Sequence, residues 1–203
     1  MIMAAPGKAL PWAFGALGLV IAAVAGACAI ETATVATNAP MTTLALPAAY
    51  DAASTLALDS DPKRAKTFAH EALALRPVDA RAWLNLAIAD TRAAKRLTPQ
   101  SSAELQHTYD VAPYDPQLIA DRVALAYDHW SELPADMREE TSSEMKAAWT
   151  YPQQTKQLFE AATRARTPHG RMSLAIELLR MRILASIARS QLKPVAPPPD
   201  IAP

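Results

Sequence analysis

The chain has 203 residues, 20 of them Lys or Arg and 20 Asp or Glu, and 51% of it is hydrophobic. Zero net charge argues against bulk attraction to nucleic acid or to an anionic membrane surface, since both need an excess of Lys and Arg. Seventeen prolines against five glycines, with Ala and Leu abundant and β-branched runs scarce, predict an all-α fold punctuated by Pro turns.

After a short basic start at residues 1–8, residues 9–30, "ALPWAFGALGLVIAAVAGACAI", carry no ionisable group except the Cys28 thiol. As a helix this run reaches about 30 Å, the thickness of a hydrocarbon core, and Trp12 stands where an indole suits the membrane interface. Lys8 precedes it, whereas Glu31, Asp51 and Asp59 follow it before the next basic residue, Lys63. Positive charge stays on the cytoplasmic side, so the expected orientation is N-terminus inside and the bulk exported, to the periplasm of a bacterial cell.

Cys28 is the only cysteine, which excludes an internal disulfide framework and a cysteine-based metal cluster. The stretch "VAGAC" resembles the lipobox of bacterial lipoproteins, which implies lipidation of Cys28 after cleavage; it departs from that motif at Ala25, where Leu is usual. In an intact spanning helix, Gly18, Ala22 and Gly26 recur every four residues and form a small-residue contact stripe. The uncleaved anchor is the preferred reading, lipidation at Cys28 the alternative, and cleavage near "ETATVA" a third.

Residues 31–47 mix Ala, Thr and Pro without a helical period and read as a tether. From residue 48 to 192 a helical domain is expected. Asp61–Pro62 and Asp115–Pro116 suit helix starts, since Asp caps free amides and Pro tolerates the first turn. Helices are thus predicted to begin near 62, 80, 101 and 116, the last running in register through Leu118, Val123, Ala126 and Trp130 until Pro134. Further helices are predicted over 135–149 and 152–166. "TPHG" reads as a break before a last helix over 171–192, and residues 193–203 form a Pro-rich tail.

The segment "EALALRPVD" followed by "ARAWLNLAIA" resembles the junction between two tetratricopeptide repeats (TPRs). Ala65, Ala72 and Pro77 fall on the small, small and proline positions of a repeat over 46–79. Trp83, Leu86 and Ala87 fall on the aromatic, Leu and small positions of the next. The "P-x-D" of Pro77 and Asp79 recurs at Pro113 and Asp115, 36 residues on, against a usual period of ~34. Pro99 and Gln106 stand where small residues are usual. The resemblance implies a short helical-hairpin solenoid with capping helices, and a partner-binding groove formed by Arg81, Leu84, Asn85, Ile88 and Arg92. Such a groove holds an extended peptide or its carboxylate through the Asn and Arg donors. A second, shorter similarity, in "RVALAYDHWSELPADMR", is to TPR-like proteins of bacterial surface-polysaccharide production, through Arg122, Leu125, Trp130 and Leu133.

On a helical wheel the last helix is apolar on two sides, with Met172, Ile176, Leu179, Ile183 and Ile187 on one and Leu174, Leu178, Met181, Ala185 and Leu192 on the other. Such a helix wants two neighbours: one is its own domain, and the other is expected to be that domain again, a partner protein or a second copy. No catalytic signature is present: there is no phosphate loop, no paired His at metal spacing and no nucleophile elbow, so neither an enzyme nor a cofactor is expected. His70, His107, His129 and His169 are scattered along the sequence, and Arg138, Glu139, Glu140 and Glu144 read as a solvated face. The expectation is a membrane-tethered, exported adaptor for protein partners of a cell-envelope machine. Its alternatives are an envelope lipoprotein with a structural role, or a carbohydrate-binding or carbohydrate-processing domain using Trp83, Trp130 and Trp149.

Overall fold

The computed structural model describes residues 46–191. The 9–30 segment, with Cys28 and the Gly18, Ala22, Gly26 stripe, lies outside the described residues, as do most of the tether and the Pro-rich tail. The described residues form eight helices and no strand, and fall into two compact units divided between Pro113 and Tyr114. Among them, no helix is long and apolar enough to cross a membrane.

Unit 1 contains α1 (Pro47–Ala57), α2 (Pro62–Leu75), α3 (Ala80–Ala94) and α4 (Pro99–Val111). Each start has a local cause. Pro47, Pro62 and Pro99 occupy first-turn positions, where a missing N–H costs little. The Asp61 carboxylate accepts from the Arg64 N–H at 3.1 Å, and Asp79 accepts from the amides of Arg81 and Ala82. Thr98 and Ser101 form a reciprocal capping box, so α4 begins at Pro99, two residues before its expected start. The helix α3 ends on Lys95 at φ 56°, a left-handed position more often filled by Gly.

Within unit 1, α1 packs on α2, α2 on α3 and α3 on α4, and α1 also reaches α3. Alanines make these approaches close: Ala65, Ala69, Ala72, Ala82 and Ala87 are wholly buried, with Leu73 and Leu86 filling the seam. The Ser54 hydroxyl donates to the Ala65 carbonyl at 2.8 Å, which removes a buried polar group from account as α1 meets α2.

Unit 2 contains α5 (Ile119–Asp128), α6 (Ala135–Trp149), α7 (Pro152–Arg164) and α8 (Pro168–Gln191). The short helix α5 is central, touching α6, α7 and α8. Ile119, Val123, Ala124 and Tyr127 from α5 meet Met145, Leu158, Leu174 and Leu178 in one core. Asp115 does not cap this helix as expected: its carboxylate accepts from the Gln117 amide within a turn over residues 116–118, and the helix starts at Ile119 after Leu118 with no side-chain cap. Past Asp128 the chain turns back on the His129 carbonyl, which accepts from the amides of Glu132 and Leu133, so the helix stops well before Pro134.

Two further expectations are corrected here. Glu144 is not on the solvated face with Glu139; it is buried and accepts from Arg122, itself buried. The "TPHG" stretch is a helix start instead of a break. The Asp128 carboxylate accepts from the amides of Arg166 and Thr167, and the Thr167 hydroxyl accepts from the Gly170 N–H, so Thr167 caps α8 and Pro168 opens it. The two-faced pattern of α8 is realised as an asymmetry. Leu174 and Leu178 enter the core, while Met172, Ile176, Leu179, Ile183 and Ile187 are 47% to 64% exposed.

Candidate functional site

The five residues expected to line a groove all sit on α3, and the structure gives them two different situations. Leu84, Asn85 and Ile88 are buried. The Asn85 amide donates to the Thr55 hydroxyl at 3.1 Å and to the Asp51 carbonyl at 3.4 Å, so α1 takes the donors that a peptide would need. Arg81 and Arg92 remain half-buried, and Arg92 pairs with Asp59 on the α1–α2 turn at 3.0 Å. The central part of this face is therefore closed, and its physical reason is the close seating of α1 on α3.

Unit 1 instead carries two carboxylate pairs. Burial first, and then the hydrogen bond to and the charge of Asp79, push the Asp51 carboxyl up to about 7, against the opposing charges of Arg76 and Arg81. The Arg76 guanidinium spans both, donating to Asp79 at 2.6 Å and lying 3.6 Å from Asp51. Burial likewise raises Glu104 to about 7, with Asp90 raising it further and the Gln100 hydrogen bond and Lys66 opposing. Lys66 bridges both Asp90 oxygens at 2.8 Å. Like charges brought together under partial burial retain a proton near neutrality. The first pair ties α1 to the cap of α3, the second ties α3 to α4, and Lys66 adds α2 to the second, a structural use of that chemistry.

The three tryptophans among the described residues each have a local partner. Trp83 donates from its indole to the Pro77 carbonyl at 2.9 Å and meets His107 edge-on, with ring centres 4.5 Å apart. Trp130 stacks on Tyr127 at 4.7 Å, and Trp149 tilts against Phe159 at 6.1 Å. Among the described residues, no group of three or more His, Cys, Asp or Glu side chains stands ready to hold a metal ion.

One open feature among the described residues is in unit 2. A cleft of about 480 Å³ lies among α5, α6 and α8. Tyr127, Met145, Trp149 and Met181 give it an apolar lining, and Leu184 and Ala188 extend that lining along α8. Lys146, Glu177 and Arg180 supply charges of both signs. Burial, reinforced by Glu177 and opposed by Arg180, pushes the Tyr127 phenol up to about 12. Such a surface, aliphatic and thioether-rich with a few charges, suits an apolar helix or segment of another protein. The spacing 181, 184, 185, 188 along α8 was the available sequence signal for it; that α6 stands opposite depends on packing.

No protein-family model, curated protein or solved structure matches this chain.

Proposed function

We propose that the chain is a membrane-tethered, exported adaptor with a TPR-like helical region, recruiting or positioning protein partners of a bacterial cell-envelope machine, one that makes or exports surface polysaccharide. The apolar run at 9–30 supports the tether. Unit 1 supports the TPR-like reading by its order of contacts: each helix packs on the next, and the first helices of successive pairs, α1 and α3, also meet. The Asn85 amide contacts the Asp51 carbonyl 34 residues earlier, one repeat period away.

The observation that carries the adaptor reading is the cleft of unit 2, an apolar surface left open beside the exposed end of α8. A helix docking there would bury Leu184 and Ala188 together with the edges of Trp149 and Met181, which is the composition of a protein-recognition centre. The test is a photo-crosslinking amino acid at Leu184 in the full chain, activated in native membranes, with the same group at exposed Glu139 as control. A discrete adduct from Leu184 alone is expected. Adducts from both positions alike, or from neither, would remove the cleft as a docking site.

A further inference from the structure

The outward face of α8 has a second occupant to explain. At 3.6 residues per turn, Met172, Ile176, Leu179, Ile183 and Ile187 fall within about 80° of the helix circumference and run for about 22 Å. All five are exposed. Arginines edge this stripe on both sides, Arg180 along one and Arg171, Arg182 and Arg189 along the other, and all four are exposed. Residues 171–191 contain one acidic side chain, Glu177, and it lies 3.4 Å from Arg180 on the cleft side.

The neutral chain as a whole has no bulk attraction to an anionic surface, but this helix is locally basic, with four arginines against one glutamate, and that local pattern selects among occupants. A second copy laid face to face would bring two arginine-edged stripes together with no carboxylate on the seam to answer them, so like charges would oppose the contact. An anionic lipid surface answers both features: acyl chains take the aliphatic stripe while headgroup phosphates meet the guanidiniums. We propose that α8 lies on an anionic phospholipid surface by its Met172–Ile187 stripe, while its opposite side holds unit 2 and faces the cleft. The inference borrows from the proposed function the tethering of residues 9–30. Residues 31–45, at full extension, would keep Leu46 within about 50 Å of the bilayer. Tethering the chain to a bilayer raises the local concentration of α8 at its surface, which makes even a weak interfacial helix effective.

The test uses the full chain with Cys28→Ser and Ile183→Cys, the new thiol carrying a nitroxide, reconstituted into phosphatidylcholine vesicles with or without phosphatidylglycerol. Collision with oxygen against a water-soluble nickel chelate reports whether residue 183 is in lipid. With phosphatidylglycerol the label should favour oxygen. Arg182→Gln and Arg189→Gln should each lower the inserted-to-free ratio about fivefold. Equal exposure to the chelate in both lipids overturns the proposal. So does a shielded label whose spectrum is broadened by a second spin, which marks a second copy, and so does shielding that appears only on adding membrane proteins. Flotation with pure phosphatidylcholine vesicles reports the tether separately. If it fails, the tethered reading falls, and the phosphatidylglycerol arm alone still decides the contact of α8.

Discussion

Arg122 Nη1 donates to Glu144 Oε1 at 3.0 Å, and their side chains are 0% and 1% exposed. The buried pair joins α5 to α6 within unit 2. Removing one partner leaves the other charged and out of water, a cost of about 3–5 kcal/mol. Glu144→Ala is therefore expected to unfold unit 2 at markedly lower urea, read by far-UV circular dichroism. The double variant Arg122→Met with Glu144→Leu should recover much of that loss, since it deletes both charges together. A single variant with unchanged stability would show that the pair is not the buried contact described.

Gly170 gives a second, sharper expectation. A Cβ placed there would press on Asp128 Oδ1 and come within 2.9 Å of the Asp128 Cα and 2.8 Å of the Thr167 hydroxyl. Helix propensity favours Ala by roughly 1 kcal/mol, whereas forcing atoms into a packed site costs roughly 1–3 kcal/mol. Backbone atoms of Asp128 cannot swing aside, and its carboxylate holds the amides of Arg166 and Thr167, so the clash should win. Gly170→Ala is expected to lower the melting temperature, and Asp128→Ala to lower it by a comparable amount through loss of the cap. A rise on Gly170→Ala would contradict this close approach.

The buried carboxyls of unit 1 make its stability depend on pH. Asp51 moves from 3.8 to about 7 on folding, so between those values the folded state binds more protons than the unfolded one. Stability then declines as pH rises through that window, and Glu104, raised from 4.5 to about 7, acts in the same direction. Thermal unfolding should thus occur at higher temperature at pH 5 than at pH 8, with Asp51→Asn reducing the difference. A wild-type chain equally stable at both values would rule out these protonated carboxyls.

Asn85 distinguishes an internal tie from a ligand contact. Its amide serves the Thr55 hydroxyl and the Asp51 carbonyl across the α1–α3 seam. Asn85→Ala should cost about 1–2 kcal/mol of stability, measured by urea denaturation, while Arg92→Ala, at a half-exposed ion pair, should cost well under 1 kcal/mol. Equal and negligible effects would return Asn85 to the role of an available groove donor.

How far the sequence could be read varies with the range of the forces involved. Helix starts governed by the next three residues were legible: Asp61 and Asp79 cap where an Asp before a helical run should, and α6 occupies the interval set by Pro134 and Pro152. The start of α8 was not, because Pro168 and Gly170 look like breakers until Asp128, 39 residues earlier, supplies the acceptor that fixes the Thr167 cap. Glu144 sat among charged neighbours on one helix, and only Arg122 on another helix explains its burial. Asn85 was recognisable as a special polar residue, but its direction depended on how closely α1 could approach. The cleft needed three helices to be in place before Leu184 and Ala188 meant anything more than one side of a wheel.

The adaptor reading rests most directly on occupancy of that cleft by a partner. Ala185→Trp would fill it from the α8 wall while leaving Leu174 and Leu178 in the core. The decisive measurement is the yield of the Leu184 photo-crosslinked adduct in native membranes, with and without Ala185→Trp, in chains of matched abundance and helicity. The expected result is a discrete partner adduct that is lost on filling the cleft. An adduct of undiminished yield with Trp in place would contradict the claim that the partner docks there.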